Sequence, residues 1–338
     1  MIPNFTPTKI GVIKSGGVVN GSFGVGAYRV LSKCLEQHGL KVSKVIANSA
    51  QAFSVLLESV GKFNEISQIW LELTADQVFK FHYWDTPLNP LRRGAILDSS
   101  PLRKNVGIWS EGYLDQIVSD QATPFEIIAT NFKTGEPMYL PNQPKYRDRL
   151  VDISMASAGL IPFLGPTVVE ICGEQLILGD GAFSDDMPLK RLVDEGCDLI
   201  FVIDAYGGDV SFYDLESLSW PDLLTRGFEI MSNHNSRRSI GLNEQRNATI
   251  AVLDHLRTEL IKRYGPDSDA ANMAREAKGI LGLHGMQRFK LVWIKSVKRF
   301  RNIGLRDINP ENMKNAMELG YWSAKLAMHN LGLDSDKV

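Results

Sequence analysis

The sequence has few cysteines, little net charge and no long apolar run. Its 338 residues include three cysteines, which lie far apart, and this favours buried free thiols over a disulfide framework. A formal net charge of −2 gives no reason to expect a nucleic-acid partner. No apolar run approaches the roughly 18 residues of a membrane-spanning helix, and residues 1–6 lack the basic and apolar regions of a signal peptide. A cytoplasmic protein is therefore expected.

Strand-like and helix-like segments alternate along the first two thirds of the chain. Apolar runs predict strands at Lys9–Lys14, Val42–Asn48, Phe125–Thr130 and Leu199–Asp204, helical spacing predicts helices at Phe23–His38 and Ala50–Val60, and Val168–Leu178 predicts a hairpin. This alternation is typical of an α/β protein whose mainly parallel central sheet is sandwiched by helices.

The last third of the chain is mostly helical in pattern. A polar helical stretch is expected over residues 220–285, broken near Gly265, and is followed by a strand at Phe289–Ile294 and a last helix ending near Asn330. No repeat or low-complexity linker interrupts the sequence. We expect one domain over residues 8–325 with a helical C-terminal elaboration, flanked by tails at 1–7 and 331–338.

A glycine-rich segment, Ser15–Gly26, joins the first predicted strand to the first predicted helix. Gly16 and Gly21 have the spacing of a phosphate-binding P-loop, but Ser22 stands where that loop needs lysine. No frame supplies a dinucleotide fingerprint. The backbone N–H groups of such a turn could instead form an oxyanion hole. A tight turn without a ligand explains the glycines equally well.

Ser49 stands where the strand Val42–Asn48 meets the next predicted helix. A serine on such a corner is the position of the nucleophile in a Gly-x-Ser-x-Gly elbow. Here Ala47 and Gln51 replace the two glycines. The corner therefore raises the hypothesis of a serine hydrolase without establishing it.

A nucleophilic serine needs a base within hydrogen-bond reach. The six histidines fall mostly within or beside helical runs, so a Ser-His-Asp triad is poorly supported. Asp180 closes an apolar strand between Gly179 and Gly181, which presents a carboxylate at a strand end. A turn aspartate without catalytic function is the other interpretation, and the local sequence alone favours it.

Taken together, these stretches resemble the patatin-like phospholipase family. Gly16–Gly21 is similar to its glycine turn, Ala47–Gln51 to its serine elbow and Asp180–Ala182 to its aspartate motif, in the family's order. Ala156–Phe163 is similar to the segment that precedes the family's aspartate. The resemblance runs from about residue 9 to 325 and implies a three-layer α/β/α fold.

The resemblance also implies a mechanism. Ser49 would attack an ester carbonyl and form an acyl-enzyme, with Asp180 as its direct base and no histidine between them. The oxyanion hole would be formed by backbone N–H groups of Gly16, Gly17, Val18 and Ala50. The expected substrates are phospholipids or other lipid acyl esters, and neither a cofactor nor a metal is expected.

Several residues depart from the family's pattern: Val18 replaces a glycine, Asn20 an arginine or lysine, Ala47 and Gln51 the elbow glycines, and Asp186 an asparagine. Both expected catalytic side chains are nevertheless present, which favours an active hydrolase. The alternative is a catalytically weak or inactive patatin-like protein that binds a lipid or a partner. A nucleotide-binding protein is a third hypothesis, which depends on the glycine turn alone.

Two segments bear on lipid access. Phe79–Trp84 is rich in aromatic residues and is either a cap over an acyl pocket or a core segment. Arg288–Arg306 contains several basic residues and no acid, which suits either a solvated face or a transient contact with a membrane surface. The sequence does not specify an oligomeric state.

Overall fold

The computed structural model describes residues 7–81, 95–205, 220–281, 288–298 and 308–333. The strands are β1 (Ile10–Lys14), β2 (Val42–Asn48), β3 (Lys80–Phe81), β4 (Leu97–Asp98), β5 (Phe125–Asn131), β6 (Pro137–Pro141), β7 (Thr167–Ile171), β8 (Glu174–Asp180), β9 (Leu199–Ile203) and β10 (Lys290–Ile294). Eight of them form one sheet in the order β10-β9-β1-β2-β5-β8-β7, with β6 paired to β5, while β3 and β4 form a separate pair.

Helices cover this sheet. They are α1 (Val18–Gln37), α2 (Gln51–Glu58), α3 (Phe63–Glu72), α4 (Ala75–Val78), α5 (Ser100–Ser110), α6 (Leu114–Ile117), α7 (Leu150–Ser157), α8 (Leu189–Asp194), α9 (Trp220–Tyr264), α10 (Asp269–Ile280) and α11 (Pro310–Asn330). Short 3-10 turns occur at Glu111–Tyr113, Pro144–Arg149 and Gly181–Phe183.

Apolar side chains of the strands point alternately to two cores. In β1, Ile10 and Val12 join the larger core with residues of α1 and α11. Ile13 faces the opposite side, where it joins Leu192 of α8 and Ile240 of α9. Such burial on both faces is what the unbroken apolar runs of the parallel strands predict. The mainly parallel sheet between helical layers, with a helical C-terminal region, is confirmed.

The sheet topology brings three loops together. Strands β10, β9, β1, β2 and β5 are mutually parallel, so the residues that follow β1 and β2 lie at the same edge of the sheet. Strand β8 is antiparallel to β5 and overlaps only its last residues, with Asp180 opposite Ala129. The end of β8 therefore lies near the C-terminal end of β5, at that same edge of the sheet.

The glycine-rich turn is shorter than predicted. Helix α1 begins at Val18 instead of Phe23, so that only Ser15–Gly17 forms the turn. Gly21 and Gly26 lie inside the helix, where a Cβ on Gly21 would collide with the Trp70 ring and one on Gly26 with the Met317 carbonyl. These glycines allow close helix packing, which is a different requirement from ligand binding.

Candidate active site

Ser49 occupies a strained backbone position between β2 and α2. Its φ is 53°, in the left-handed region that costs a non-glycine residue about 1–3 kcal/mol. The backbone N–H of Ser49 donates a hydrogen bond of 2.9 Å to the Oγ of Ser157, which is fully buried at the end of α7. Strain of this kind persists where surrounding contacts enforce it, and Ser157 supplies one such contact.

Asp180, the last residue of β8, lies beside Ser49. The Asp180 carboxylate lies close to the Ser49 hydroxyl, whose interaction with it favours the ionised form. The backbone N–H of Ala182 donates a hydrogen bond to Asp180 Oδ1 at 2.9 Å. The Thr130 hydroxyl donates to the Asp180 carbonyl oxygen at 2.7 Å. The carboxylate is thus held on a fixed backbone, facing the serine hydroxyl.

The environment makes Asp180 a stronger base than an ordinary aspartate. Burial, the largest effect, raises its pKa to about 7, and repulsion from Asp186 acts in the same direction. The hydrogen bond from the Ala182 backbone N–H and the nearby Ser49 hydroxyl oppose this shift. Unperturbed aspartates titrate near 3.9, so Asp180 changes its protonation state near neutral pH.

The glycine turn packs directly against Ser49. A Cβ placed on Gly16 would lie 2.6 Å from Ser49 Cβ and 3.3 Å from Ser49 Oγ. Gly17 has φ 106° and precedes Val18, the first residue of α1. The first N–H groups of a helix have no partner within it and carry a partial positive charge. This helix end is therefore suited to stabilise an anion beside Ser49.

Both the nitrogen and the oxygen of the Asn20 side-chain amide are hydrogen-bonded within the protein. Its Nδ2 donates to the Gly16 carbonyl at 2.5 Å and to Asp204 Oδ1 at 3.3 Å. Its Oδ1 accepts from the Ala205 backbone N–H at 2.6 Å. The asparagine that replaces a cation of the family pattern thus ties the glycine turn to the end of β9.

Gln51 is fully buried and crosses from α2 to α1. Its Nε2 donates to the Asn20 carbonyl and, at 3.4 Å, to the Gly21 carbonyl. Space for the side chain comes from Gly24, where a Cβ would collide with the Gln51 amide. Gln51 fits between the two helices because the facing residue of α1 is a glycine.

Asp186 belongs to a second polar network behind the serine. Asn48 Nδ2 donates to Asp186 Oδ1 at 2.9 Å, and the Ser236 hydroxyl of α9 donates to Asp186 Oδ2 at 3.0 Å. Sequence reasoning identified Asp186 as a departure but missed Asn48 and Ser236. The position of Asn48 beside Ser49 was a usable signal, whereas nothing in the sequence of α9 singles out Ser236.

A buried ion pair joins the strand that leads into the glycine turn to α2. Lys14, the last residue of β1, pairs with Glu58 of α2, and both side chains are fully buried. The Lys14 ammonium lies 5.0 Å from the centre of the Tyr28 ring. Burial lowers the pKa of Lys14 and raises that of Glu58, against their mutual attraction.

Other predicted features fall partly outside the described residues. These are the Val18 side chain, the end of the aromatic segment Phe79–Trp84 and the end of the basic segment Arg288–Arg306. The cap over an acyl pocket and the contact with a membrane surface therefore stay predictions. Among the described helices, none is long and apolar enough to cross a membrane.

Fold and site together define a three-layer α/β/α protein with a corner serine beside a buried aspartate. The family model described as patatin-like phospholipase matches residues 12–193, a stretch that includes Gly16, Ser49 and Asp180. The chain belongs to the patatin-like phospholipase family. Membership of this family supports, in general terms, a function in the hydrolysis of lipid acyl esters.

Among solved structures, the chain is similar to VipD from Legionella pneumophila. The TM-score is 0.45 and the sequence identity 11%, over 95% of this chain and 67% of VipD. A search of curated proteins finds no match.

Proposed function

We propose that this protein is a serine acyl hydrolase that cleaves phospholipids or related lipid acyl esters with a Ser49–Asp180 dyad. The observation that carries the proposal is the proximity of the Ser49 hydroxyl to the buried Asp180 carboxylate. It occurs at a serine held with φ 53°, the strained corner geometry typical of a nucleophile elbow.

In the first half-reaction, ionised Asp180 accepts the proton of Ser49 as its Oγ attacks the ester carbonyl carbon. The negative charge that develops on the carbonyl oxygen is stabilised by backbone N–H groups of Gly16, Gly17, Val18 and Ala50. Collapse of the tetrahedral intermediate breaks the ester bond. The proton on Asp180 passes to the departing alcohol, leaving Ser49 acylated.

The second half-reaction uses the same groups. Asp180 takes a proton from a water molecule, whose oxygen attacks the acyl carbon on Ser49. Collapse of the second intermediate releases the fatty acid, and the proton returns to the Ser49 oxygen. A base with a pKa of about 7 suits both proton transfers, since general bases work best when their pKa lies near the working pH.

The departures from the family pattern are compatible with activity. The Asn20 side chain fixes the Gly16 carbonyl, and Gln51 has both room and hydrogen-bond acceptors. These replacements have well-defined contacts in the fold, which supports an active enzyme over an inactive, lipid- or partner-binding protein. The latter predicts saturable binding to liposomes or to a partner without turnover.

The test is release of fatty acid from phospholipid vesicles and from a soluble short-chain ester. We expect turnover by the wild-type protein, none by Ser49→Ala and a severe loss in Asp180→Asn, with cooperative thermal unfolding retained in both variants. Turnover that survives in Ser49→Ala would remove the dyad from the mechanism. Saturable vesicle binding without any turnover would favour the binding protein.

A further inference from the structure

Gln51 is the most unusual side chain around the corner serine. It is buried, polar and only two positions after Ser49, and its Oε1 has no hydrogen-bond partner among the described residues. An unsatisfied buried polar atom costs about 1–3 kcal/mol. Methionine or leucine would fill a similar volume without this cost. The presence of glutamine therefore calls for a role of the hydrogen bonds that its Nε2 donates.

The acceptors of Gln51 lie in the first turns of α1. Its Nε2 faces the carbonyls of Asn20 and Gly21, and each carbonyl oxygen has a second lone pair beyond its intrahelical bond. Asn20 in turn donates from its side chain to the Gly16 carbonyl, and Gly16 packs on Ser49. The contacts form a closed ring that runs through Gln51, Asn20, Gly16 and Ser49.

This ring joins the two parts that must be aligned for acyl transfer. One is the serine on β2–α2, and the other is the set of backbone N–H groups at the start of α1. Without Gln51, the two helices would still touch, but no side-chain hydrogen bond of the described residues would link α2 to the first turn of α1.

We propose that Gln51 is a positioning residue, which fixes the N-terminal turn of α1 relative to Ser49 through its hydrogen bonds to the Asn20 and Gly21 carbonyls. The inference rests on the proposed hydrolase function. It assigns Gln51 to alignment of the oxyanion donors, without contact to the substrate. A misplacement of about 1 Å can cost about 100-fold in rate, so loss of this link should slow chemistry more than binding.

Gly24 supplies the means to separate hydrogen bonding from packing. A Cβ at this position collides with the Gln51 amide, so Gly24→Ala alone should destabilise the protein. In Gln51→Gly/Gly24→Ala the added methyl group occupies part of the space that the glutamine vacates. That double variant restores part of the packing without restoring the hydrogen bonds.

The experiment measures inactivation by an alkyl fluorophosphonate, separated into the maximal rate kinact and the half-saturating concentration KI. Gln51→Met keeps the volume and removes the donors; Gln68→Met, on the exposed face of α3, is the matched control. We expect kinact to fall about 10- to 100-fold in Gln51→Met, with KI and cooperative unfolding nearly unchanged. Gln68→Met should behave as wild type.

The double variant discriminates further. Gln51→Gly/Gly24→Ala should melt closer to wild type than Gln51→Gly, yet retain the low kinact. A wild-type kinact in either Gln51→Met or the double variant would overturn the positioning role. Amide hydrogen exchange of a peptide covering residues 16–24 should accelerate in Gln51→Met, and unchanged exchange would also overturn it. Failure of the wild type to react would instead refute the hydrolase proposal, while the exchange measurement still tests the link.

Discussion

The backbone N–H of Ser49 donates a hydrogen bond of 2.9 Å to the hydroxyl of Ser157. Ser49 therefore depends on α7, a helix more than a hundred positions away in the sequence, for its left-handed backbone conformation. Ser49 is joined to α7 through its backbone N–H. Its side-chain hydroxyl therefore stays available for Asp180.

Replacement of Ser157 by alanine should weaken both folding and reactivity. It leaves the Ser49 N–H without its acceptor in a partly buried site, and loss of such a hydrogen bond costs about 0.5–1.5 kcal/mol in the free energy of unfolding. The strained φ of Ser49 would lose one of its constraints, so kcat should fall while KM changes little. Urea unfolding and ester hydrolysis measure the two effects. Ser157→Thr, which keeps the hydroxyl, is the control, and an unaffected Ser157→Ala would contradict the role of this bond.

The pH dependence of hydrolysis should show a limb set by Asp180. Only the ionised carboxylate accepts a proton, so kcat/KM should rise with pH through about 7, the value to which burial raises the pKa of Asp180, and level off above it. As a control, the same pH-dependent limb should be absent from the reaction of a solvent-exposed nucleophile that has no buried carboxylate beside it. A profile that is flat between pH 5 and 9 would argue against Asp180 as the base.

Asp186→Asn should move that limb to lower pH. Repulsion from Asp186 raises the pKa of Asp180, and the asparagine keeps an oxygen that accepts from Asn48. Asp185 and Ser236 also face Asp186 and remain unchanged in this variant. Asp194→Asn, which removes a partly exposed charge on α8, is the matched control. An unchanged limb in Asp186→Asn would rule out electrostatic tuning.

Asp180 should also make stability depend on pH. Its folded-state pKa of about 7 lies above the usual value of about 3.9, so its contribution to stability is fully present below about pH 3.9 and is lost as pH rises through about 7. Asp180→Asn cannot ionise and avoids this loss. Its melting temperature, relative to wild type, should therefore increase between pH 5 and pH 8. A constant difference across this range would contradict the raised pKa.

The buried ion pair offers a separate test of stability. Lys14→Met leaves Glu58 buried without its partner, which typically costs about 3–5 kcal/mol. The double variant Lys14→Met/Glu58→Gln removes both charges and should recover most of that loss in urea unfolding. A double variant as unstable as Lys14→Met would show that the loss comes from packing around Lys14.

Much of the fold could be predicted because the central strands β1, β5 and β9 are buried on both faces. Unbroken apolar runs identify β1, β2, β5 and β9, and the break at Gly265 separates α9 from α10 as expected. The start of α1 could not be predicted, because Gly21, Gly24 and Gly26 lower helix propensity. Their reason for being there is contact with α3, α2 and α11, which are distant in sequence.

The candidate site was predictable to the extent that it lies in short motifs. Ser49 and Gly16 each follow a parallel strand, and the parallel topology brings such positions together. Asp180 reaches the same edge at the end of the antiparallel strand β8. The partners of the replaced residues were not predictable. Gln51 needs Gly24, and Asp186 needs Ser236, through contacts that depend on how α1 and α9 pack on the sheet.

The central claim is that Ser49 is an activated nucleophile. Its most direct test is intact-mass and peptide mass spectrometry of the protein after treatment with an alkyl fluorophosphonate at pH 8. A single adduct on the peptide containing Ser49, absent in Ser49→Ala and formed much more slowly in Asp180→Asn, is the predicted result. No adduct on the folded wild-type protein, or an adduct that persists in Ser49→Ala, would contradict the claim.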